Sequence, residues 1–238
     1  MDYDKISEDY DFLYSSKDYE RECEFIKSKL DKSKTILDIG CGTGTHSEIL
    51  ARNKESSVVG IDISCGMISE AKTKYDKIKN LSFYCEPLQD HSKKNKKYDT
   101  VIAMFNIVNH IDNLKELSCF FEDCAIILEK EGKIIFDCWN SIACSIDKPH
   151  AYSEKLVGDK KIIYKTNINL IESLCKTVIS YGEKEIEICT TLWSPKLLIE
   201  LMKQNNITVE GIYNFRDFDS VATEEDHRII FVCKKQGK

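Results

Sequence analysis

The sequence lacks any apolar run close to the roughly 20 residues that span a bilayer. Its N-terminus also lacks the basic stretch followed by an apolar stretch that marks an export signal. Only three prolines occur among 238 residues, and there is no low-complexity tract or internal repeat, which excludes a linker-rich or repetitive chain. We therefore expect an ordered, soluble and cytoplasmic protein with no membrane partner.

An excess of basic residues is missing as well. The net charge is −6, whereas the phosphates of a nucleic acid call for a basic face. One dense cationic run, residues 93–97, is short and typical of a solvated loop. We predict that no nucleic acid is a partner.

Metal-binding and disulfide patterns are also absent. No Cys-x-x-Cys pair occurs and the five histidines are scattered, so we predict no metal site. The eleven cysteines fall within apolar strand and helix patterns, without the close pairing of a secreted scaffold. We expect buried free thiols, with Cys85 and Cys189 among them.

What the sequence does contain is a regular alternation of strand and helix patterns in its first 139 residues. Short buried runs of β-branched and aliphatic residues alternate with helical repeats, which favours a doubly wound α/β fold with right-handed connections. The five predicted strands are residues 35–39, 57–62, 81–85, 98–104 and 132–138.

The pattern changes after Trp139. Residues 153–192 alternate with a period of two and are divided by turn signals at Gly158 and Gly182, which indicates antiparallel strands. A helix then begins at Ser194-Pro195, and residues 207–215 and 228–234 supply two more strands. We predict a seven-stranded, mostly parallel domain formed by residues 1–139 and 194–238, with a small β-rich lobe inserted at residues 140–193.

The glycine-rich loop after the first strand reads Asp38-Ile-Gly-Cys-Gly-Thr-Gly44. A dinucleotide fingerprint requires a third glycine three positions after the second, where this chain has Thr45. Asp38, two residues before Gly40, would repel a pyrophosphate and favour a positively charged ligand. The loop therefore favours a cationic cofactor over the dinucleotide of a dehydrogenase.

Together with Gly60-Ile-Asp62 on the second strand, this loop resembles the S-adenosylmethionine site of class I methyltransferases. The resemblance implies S-adenosyl-L-methionine as cofactor, S-adenosyl-L-homocysteine as product, and an antiparallel last strand. It also implies that Asp62 binds the ribose hydroxyls. Met67 would then pack on the adenine, or be an ordinary apolar contact. The cofactor-binding residues implied in this way are Asp38, Gly40, Gly42, Gly44, Asp62, Ile63, Met67, Glu86 and Met104.

A finer resemblance concerns the acceptor. The aromatic arm that ends at Tyr19, the motif Met104-Phe-Asn-Ile-Val-Asn-His110 and the β-rich insertion are together similar to small-molecule N-methyltransferases that act on nucleotide-linked amino sugars or on glycine. The resemblance implies methyl transfer to an amine nitrogen of a small molecule. Transfer to oxygen or a carboxyl group, and a non-catalytic cofactor-binding module, are the alternatives.

Candidate acceptor-side residues follow from these motifs. His110, just beyond the fourth strand, would accept a proton or orient the acceptor, or else be a loop histidine bonded to backbone. Tyr3 and Tyr14 would close over the site as catalytic lid residues, or serve only as a packing strap. The residues predicted to bind the substrate are Asn106, Asn109, Trp139 and Asn140. A homodimer formed through the inserted lobe is left open.

Overall fold

Strands and helices alternate as the sequence predicts. The computed structural model of the protein describes residues 3–30, 33–146 and 152–237. The strands are β1 (Thr35–Ile39), β2 (Ser57–Asp62), β3 (Leu81–Cys85), β4 (Tyr98–Ala103), β5 (Leu128–Trp139), β6 (Tyr152–Val157), β7 (Lys160–Asn169), β8 (Leu174–Tyr181), β9 (Lys184–Thr191), β10 (Ile207–Asn214) and β11 (Arg228–Lys235). The helices are α1 (Tyr10–Leu13), α2 (Tyr19–Lys29), α3 (Thr45–Ala51), α4 (Cys65–Tyr75), α5 (Leu88–Ser92), α6 (Leu114–Ile127), α7 (Ser141–Ile146) and α8 (Pro195–Gln204), with 3₁₀ turns at Tyr3–Ile6 and Ile107–His110.

The large sheet has seven strands in the order β10-β11-β5-β4-β1-β2-β3. Strands β5, β4, β1, β2 and β3 are parallel, so their carboxyl ends meet at one edge. Strand β11 runs antiparallel to both β5 and β10. The doubly wound sheet and its antiparallel last strand are thereby confirmed.

Both faces of this sheet are covered by helices. On one face Leu117 and Phe121 of α6 pack against the strands, and on the other Ile26 of α2 and Ile49 of α3 do so, all four being at most 2% exposed. Because the central strands are buried on both sides, they are apolar along their length rather than alternating. Within the described residues, no helix is long and apolar enough to cross a membrane.

Residues 152–191 form a separate antiparallel sheet of four strands in the order β6-β7-β8-β9. Its strands alternate between a face that packs on Leu13 and an exposed face, which is why the period-two pattern identifies them. Helix α7, which precedes this sheet, was not predicted from the sequence. Its six residues are too few to establish a helical period.

An N-terminal arm, residues 3–16, bridges the two sheets. The carbonyl oxygen of Leu13 accepts hydrogen bonds from the Tyr164 hydroxyl, at 2.9 Å, and from Lys155 of the small sheet. The Asp11 carboxylate accepts one from the Thr43 hydroxyl of the glycine loop, at 2.6 Å. The arm is therefore tied both to the small sheet and to the glycine loop.

The expectation of buried free thiols is wrong for three cysteines. Cys65 and Cys85 form a disulfide, and Cys189 is exposed. Parallel pairing sets Cys85 opposite Asp62, and α4 begins at Cys65 just beyond Asp62, so the two Cα atoms are 5.2 Å apart. Cys189 lies on the exposed face of β9. Neither arrangement leaves a signal in the spacing of cysteines along the chain.

Removing the disulfide should destabilise the protein. The bond closes a loop with a sequence separation of 20, and losing such a crosslink costs about 3 kcal/mol of unfolding free energy through the entropy of the unfolded chain. We expect Cys65→Ser to show this loss in urea denaturation without reductant, and to match the wild type in dithiothreitol. Cys189→Ser, which changes an exposed free thiol, is the control. A loss that persists in dithiothreitol would contradict the crosslink as its cause.

Candidate functional site

A cavity of about 240 Å³ opens at the carboxyl edge of the large sheet, between the glycine loop and the N-terminal arm. We call it the glycine-loop cavity. The predicted site residues that line it are Tyr3, Gly40, Gly42, Asp62, Ile63, Met67, Glu86 and His110. Its wall also contains residues that the sequence did not single out as site residues, chiefly Tyr10, Phe105, Ile107 and Leu88.

The glycines of the loop are required by the space around them. Gly40 has φ +66°, and a Cβ atom there would lie 2.2 Å from Cδ1 of Ile107. Gly44 has φ +85°, and a Cβ there would lie 2.6 Å from the ring of Phe83. Only a residue without a Cβ allows this backbone path beneath the cavity.

Asp62 places a carboxylate in the cavity wall. Its Oδ2 accepts a hydrogen bond from the amide of Gly42 and its Oδ1 accepts one from the amide of Ser64, both at 2.9 Å. Burial raises the pKa of Asp62 above its ordinary value, and these backbone donors partly oppose that rise. A carboxylate accepts about four hydrogen bonds, so capacity remains for a ligand that offers hydroxyl groups.

The side of the cavity beyond Asp62 is mainly apolar. Met67, 1% exposed, and Leu88 line it, and Ile63 lies at its rim with 75% of its surface exposed. Glu86 adds an acid held by His91, at 2.6 Å, and by Lys94. Burial alone would raise the pKa of Glu86, but these two partners hold it below the ordinary value. This side presents a flat apolar slot with a carboxylate at its edge.

The opposite side carries a neutral polar pair. The Tyr3 hydroxyl lies 3.1 Å from Nε2 of His110, and the tautomer of His110 determines which of the two donates. Burial lowers the pKa of His110 to about 4 and raises that of Tyr3. Both groups are therefore uncharged at neutral pH.

A strained turn separates this pair from the sheet. Phe105 and Asn106 follow β4 with φ of +71° and +61°, a conformation that costs free energy in residues other than glycine. The buried carboxylate of Asp137, on β5, accepts hydrogen bonds from both amides, at 2.5 Å from Phe105 and 3.2 Å from Asn106. The Nε of Arg228 donates to the same carboxylate. Asp137 thus holds the turn that presents Phe105 to the cavity.

Three predicted cofactor residues lie outside the cavity lining. Asp38 accepts a hydrogen bond from Ser47 Oγ at 2.6 Å, and burial raises its pKa to about 6. Gly44 lies deeper in the loop, where it begins α3. Met104 is buried and lines a small recess beside Gly40. These positions support the loop from behind.

The predicted acceptor residues also lie outside that lining. Asn109 is fully buried, where its side chain donates to the Thr191 carbonyl oxygen, at 2.7 Å, and accepts from the Trp139 amide, at 3.0 Å. Asn140 is 3% exposed and accepts from backbone. Tyr14 lines a neighbouring cleft instead. The side-chain oxygen of Asn106 is buried and has no hydrogen-bond partner among the described residues.

The cavity thus combines a glycine backbone that allows close approach, a hydroxyl-binding carboxylate, an apolar slot and an uncharged aromatic wall. This set fits a nucleoside whose ribose faces Asp62 and whose base lies near Met67. The loop departs from a dinucleotide site at Thr45, the first residue of α3, where the dinucleotide fingerprint has its third glycine.

Comparison with known sequences supports this fit. Residues 36–132 match a family model described as a methyltransferase domain. An uncharacterized protein of Methanocaldococcus jannaschii is 31% identical over 224 residues, which are 90% of this chain and 76% of that protein. The chain spans about half the length of several other curated relatives that it matches.

Solved structures extend the likeness to the whole chain. A crystal structure of an S-adenosylmethionine-dependent methyltransferase from Clostridium acetobutylicum has a TM-score of 0.80 at 21% identity and covers 99% of both chains. An amino pentose methyltransferase from Micromonospora echinaspora, bound to S-adenosylmethionine, has a TM-score of 0.75 at 14% identity and covers 94% of both chains. The matching domain makes the chain a methyltransferase, and its full-length fold is that of S-adenosylmethionine-dependent methyltransferases.

Proposed function

We propose that this methyltransferase transfers its methyl group to an amine nitrogen of a small molecule, such as an amino sugar. The observation that carries the proposal is the neutral pair of Tyr3 and His110 in the cavity wall. The full-length likeness to an amino pentose methyltransferase, which extends over the inserted sheet, supports the same acceptor class.

The chemistry explains why this pair favours nitrogen. S-adenosylmethionine supplies a methyl group that its sulfonium already activates. A neutral amine attacks with its own lone pair, so the protein has only to orient it and exclude water. A hydroxyl acceptor needs a base near neutral pKa, and burial leaves His110 with a pKa of about 4, too low for that task. His110 and Tyr3 are therefore better suited to orienting an amine than to deprotonating an alcohol.

The residues around the cavity acquire roles under this proposal. Asp62 binds the ribose hydroxyls, and Gly40 and Gly42 let the backbone lie against the ligand. Met67 packs on the adenine and Glu86 lies at its edge. Asp38 and Met104 support the loop from behind, and Tyr3 with His110 faces the acceptor.

The acceptor side is assigned by the same reasoning. Asn109 links Thr191 of the small sheet to Trp139 at the end of β5 and so positions the acceptor side. Asn140 follows Trp139 in the chain, and Tyr14 joins that side through the neighbouring cleft. We assign residues 140–193 as the acceptor lobe and residues 1–139 with 194–238 as the cofactor domain. A homodimer through the lobe stays a prediction.

Matched acceptors test the choice of nitrogen. An amino sugar should give S-adenosylhomocysteine and a methylated product by mass spectrometry. The same sugar with a hydroxyl in place of the amine should give neither, because His110, with a pKa of about 4, is too weak a base to deprotonate it. The N-acetylated amino sugar, which lacks a nucleophilic lone pair, is the control. Methylation of hydroxyl or carboxyl acceptors in preference to amines would replace the proposal with oxygen transfer.

Asp62 provides a test of the cofactor site. Asp62→Ala should weaken S-adenosylhomocysteine binding by about 1–3 kcal/mol in titration calorimetry, since a charged acceptor of ribose hydrogen bonds is lost. Asp76→Ala, an exposed acid at the end of α4, is the matched control and should bind as the wild type does. Unchanged affinity in Asp62→Ala would place the ribose contact elsewhere.

The neutral state of His110 predicts how the free energy of unfolding depends on pH. Its pKa is about 4 in the folded protein against an ordinary 6.5, so between these values the unfolded chain binds more protons. The wild type should therefore lose up to about 3 kcal/mol of unfolding free energy, relative to His110→Gln, as the pH falls from 7 to 4. Urea denaturation of both proteins across that range measures the difference.

Comparing the wild type with His110→Gln cancels the contributions to stability of other groups that titrate at acid pH. Burial raises the pKa of Asp38 to about 6, and for Glu22 the His46 and Lys17 partners outweigh burial and lower the pKa to about 2. Both contributions are common to the wild type and the variant. A difference that does not change with pH would show that burial does not hold His110 neutral.

A further inference from the structure

A second cleft, of about 440 Å³, lies on the far side of Phe105 from the glycine-loop cavity. Phe105 lines both spaces, so they meet at this one side chain. Four cationic side chains line the cleft, although the chain as a whole carries a net charge of −6. We call it the basic cleft; its cations are Lys17, Arg21, Lys155 and Arg228.

Arg228 is fixed in place within this cleft. Its Nε donates to the buried Asp137 carboxylate, and its guanidinium lies 3.5 Å from the ring centroid of Phe215 and 5.3 Å from that of Phe105. Its side chain is 16% exposed. A guanidinium held by stacking and by one hydrogen bond loses little freedom when its remaining donors bind a ligand.

One donor of Arg228 has no partner. The Nη2 nitrogen is buried and makes no hydrogen bond to any residue that the structure describes. Leaving a buried charged donor unsatisfied is costly, and native proteins seldom do so without a ligand or a water. The ion pair with Asp137 engages Nε alone, so Nη2 still lacks an acceptor.

Unlike Arg228, two cations of the cleft have no acidic partner in the described ranges. Lys155 donates to the carbonyl oxygen of Leu13 and to Ser16 Oγ at 3.2 Å. Arg21 lies over the ring of Phe218, at 5.1 Å. Burial lowers the pKa of Lys155, as expected for an ammonium group that no carboxylate neutralises.

The acids of the cleft are already engaged. Glu22 pairs with Lys17 and also lies 2.8 Å from Nε2 of His46. Asp18 caps α2 by accepting from the amide of Arg21, at 3.0 Å. Three cations, Arg21, Lys155 and Arg228, therefore face a shared space in which positive charge exceeds negative.

We propose that the basic cleft binds an oxyanion, a phosphate or a carboxylate, carried by the methyl acceptor, and that Arg228 selects for it. The inference rests on the proposed function, since the acceptor would span Phe105 with its amine beside Tyr3 and its anion beside Arg228. A planar guanidinium with free donors matches the paired oxygens of either anion.

Direct binding tests the cleft without any turnover. The protein saturated with S-adenosylhomocysteine is titrated with inorganic phosphate, pyrophosphate and acetate at constant ionic strength. Bound S-adenosylhomocysteine already fills the position of its own carboxylate, so an added anion cannot bind there. We expect at least one anion to bind. The anion with the higher affinity indicates whether the acceptor carries a phosphate or a carboxylate.

Three variants assign that binding to its residues. Arg228→Gln should weaken it about tenfold or more, because a charge-assisted pair of hydrogen bonds is lost. Arg228→Lys keeps the charge beside Asp137, and its affinity for the anion should lie between those of the wild type and Arg228→Gln. Lys155→Gln should weaken anion binding while leaving the ion pair of Asp137 intact. Arg216→Gln removes an exposed arginine from the same part of the chain, and should change affinity less than twofold.

Turnover then tests the link to the acceptor. Glucosamine is compared with glucosamine 6-phosphate, and an amino acid with its amide. The anionic member of the preferred pair should have a KM about tenfold lower or more, and Arg228→Gln and Lys155→Gln should each reduce that difference. Thermal unfolding of each variant shows whether it is folded.

The outcomes separate the two proposals. The oxyanion site is wrong if no anion binds, if Arg228→Gln and Lys155→Gln bind anions as well as Arg216→Gln does, or if neutral acceptors are used equally well. It is also wrong if Arg228→Gln weakens S-adenosylhomocysteine instead, because the arginine would then serve the cofactor. If Arg228→Gln loses anion binding but only hydroxyl acceptors are methylated, the oxyanion site is supported and transfer to nitrogen is rejected.

Discussion

A single buried carboxylate organises the boundary between the glycine-loop cavity and the basic cleft. Asp137 is fully buried at the end of β5, where it accepts two backbone amides from the turn after β4 and one guanidinium donor from β11. Buried charge is tolerated only when it is compensated in this way. The same group thereby holds Phe105 in a strained conformation and fixes Arg228, so the walls of both cavities depend on it.

The same carboxylate positions the side chain at which the two cavities meet. Phe105 lies between the glycine-loop cavity and the basic cleft. Its ring packs against Tyr14 of the arm, with centroids 4.8 Å apart. A side chain shared by two cavities, and held by strained backbone, sets the distance between the two spaces. Strain at such a position is typical of functional sites, where stability is exchanged for position.

The fold was largely predictable from the sequence because its signals are local. Buried strands read as continuous apolar runs, Ser64 and Ser194 both act as caps of the helices that follow, and the strands of the insertion alternate with a period of two. The glycine loop and Asp62 were also found in this way, since one short motif contains them. They line the cavity as the resemblance implies.

The rest of the site arises from contacts between distant parts of the chain. Asp137 and Arg228 are separated by 91 positions, and Tyr3 and His110 by 107, so no spacing rule connects them. The disulfide between Cys65 and Cys85 likewise depends on the pairing of β2 with β3. Phe105 looked like one more apolar residue after a strand, because a positive φ is a property of the folded backbone alone.

The N-terminal arm has a consequence for how tightly the cavity can hold a ligand. Tyr3 and Tyr10 form one wall, and that wall exists only while the arm is docked on Thr43 and on the small sheet. Docking of the arm and occupation of the cavity are therefore thermodynamically linked, and each favours the other by the same free energy. A ligand that fills the cavity tightens the arm, and undocking of the arm weakens the binding of that ligand by the same free energy.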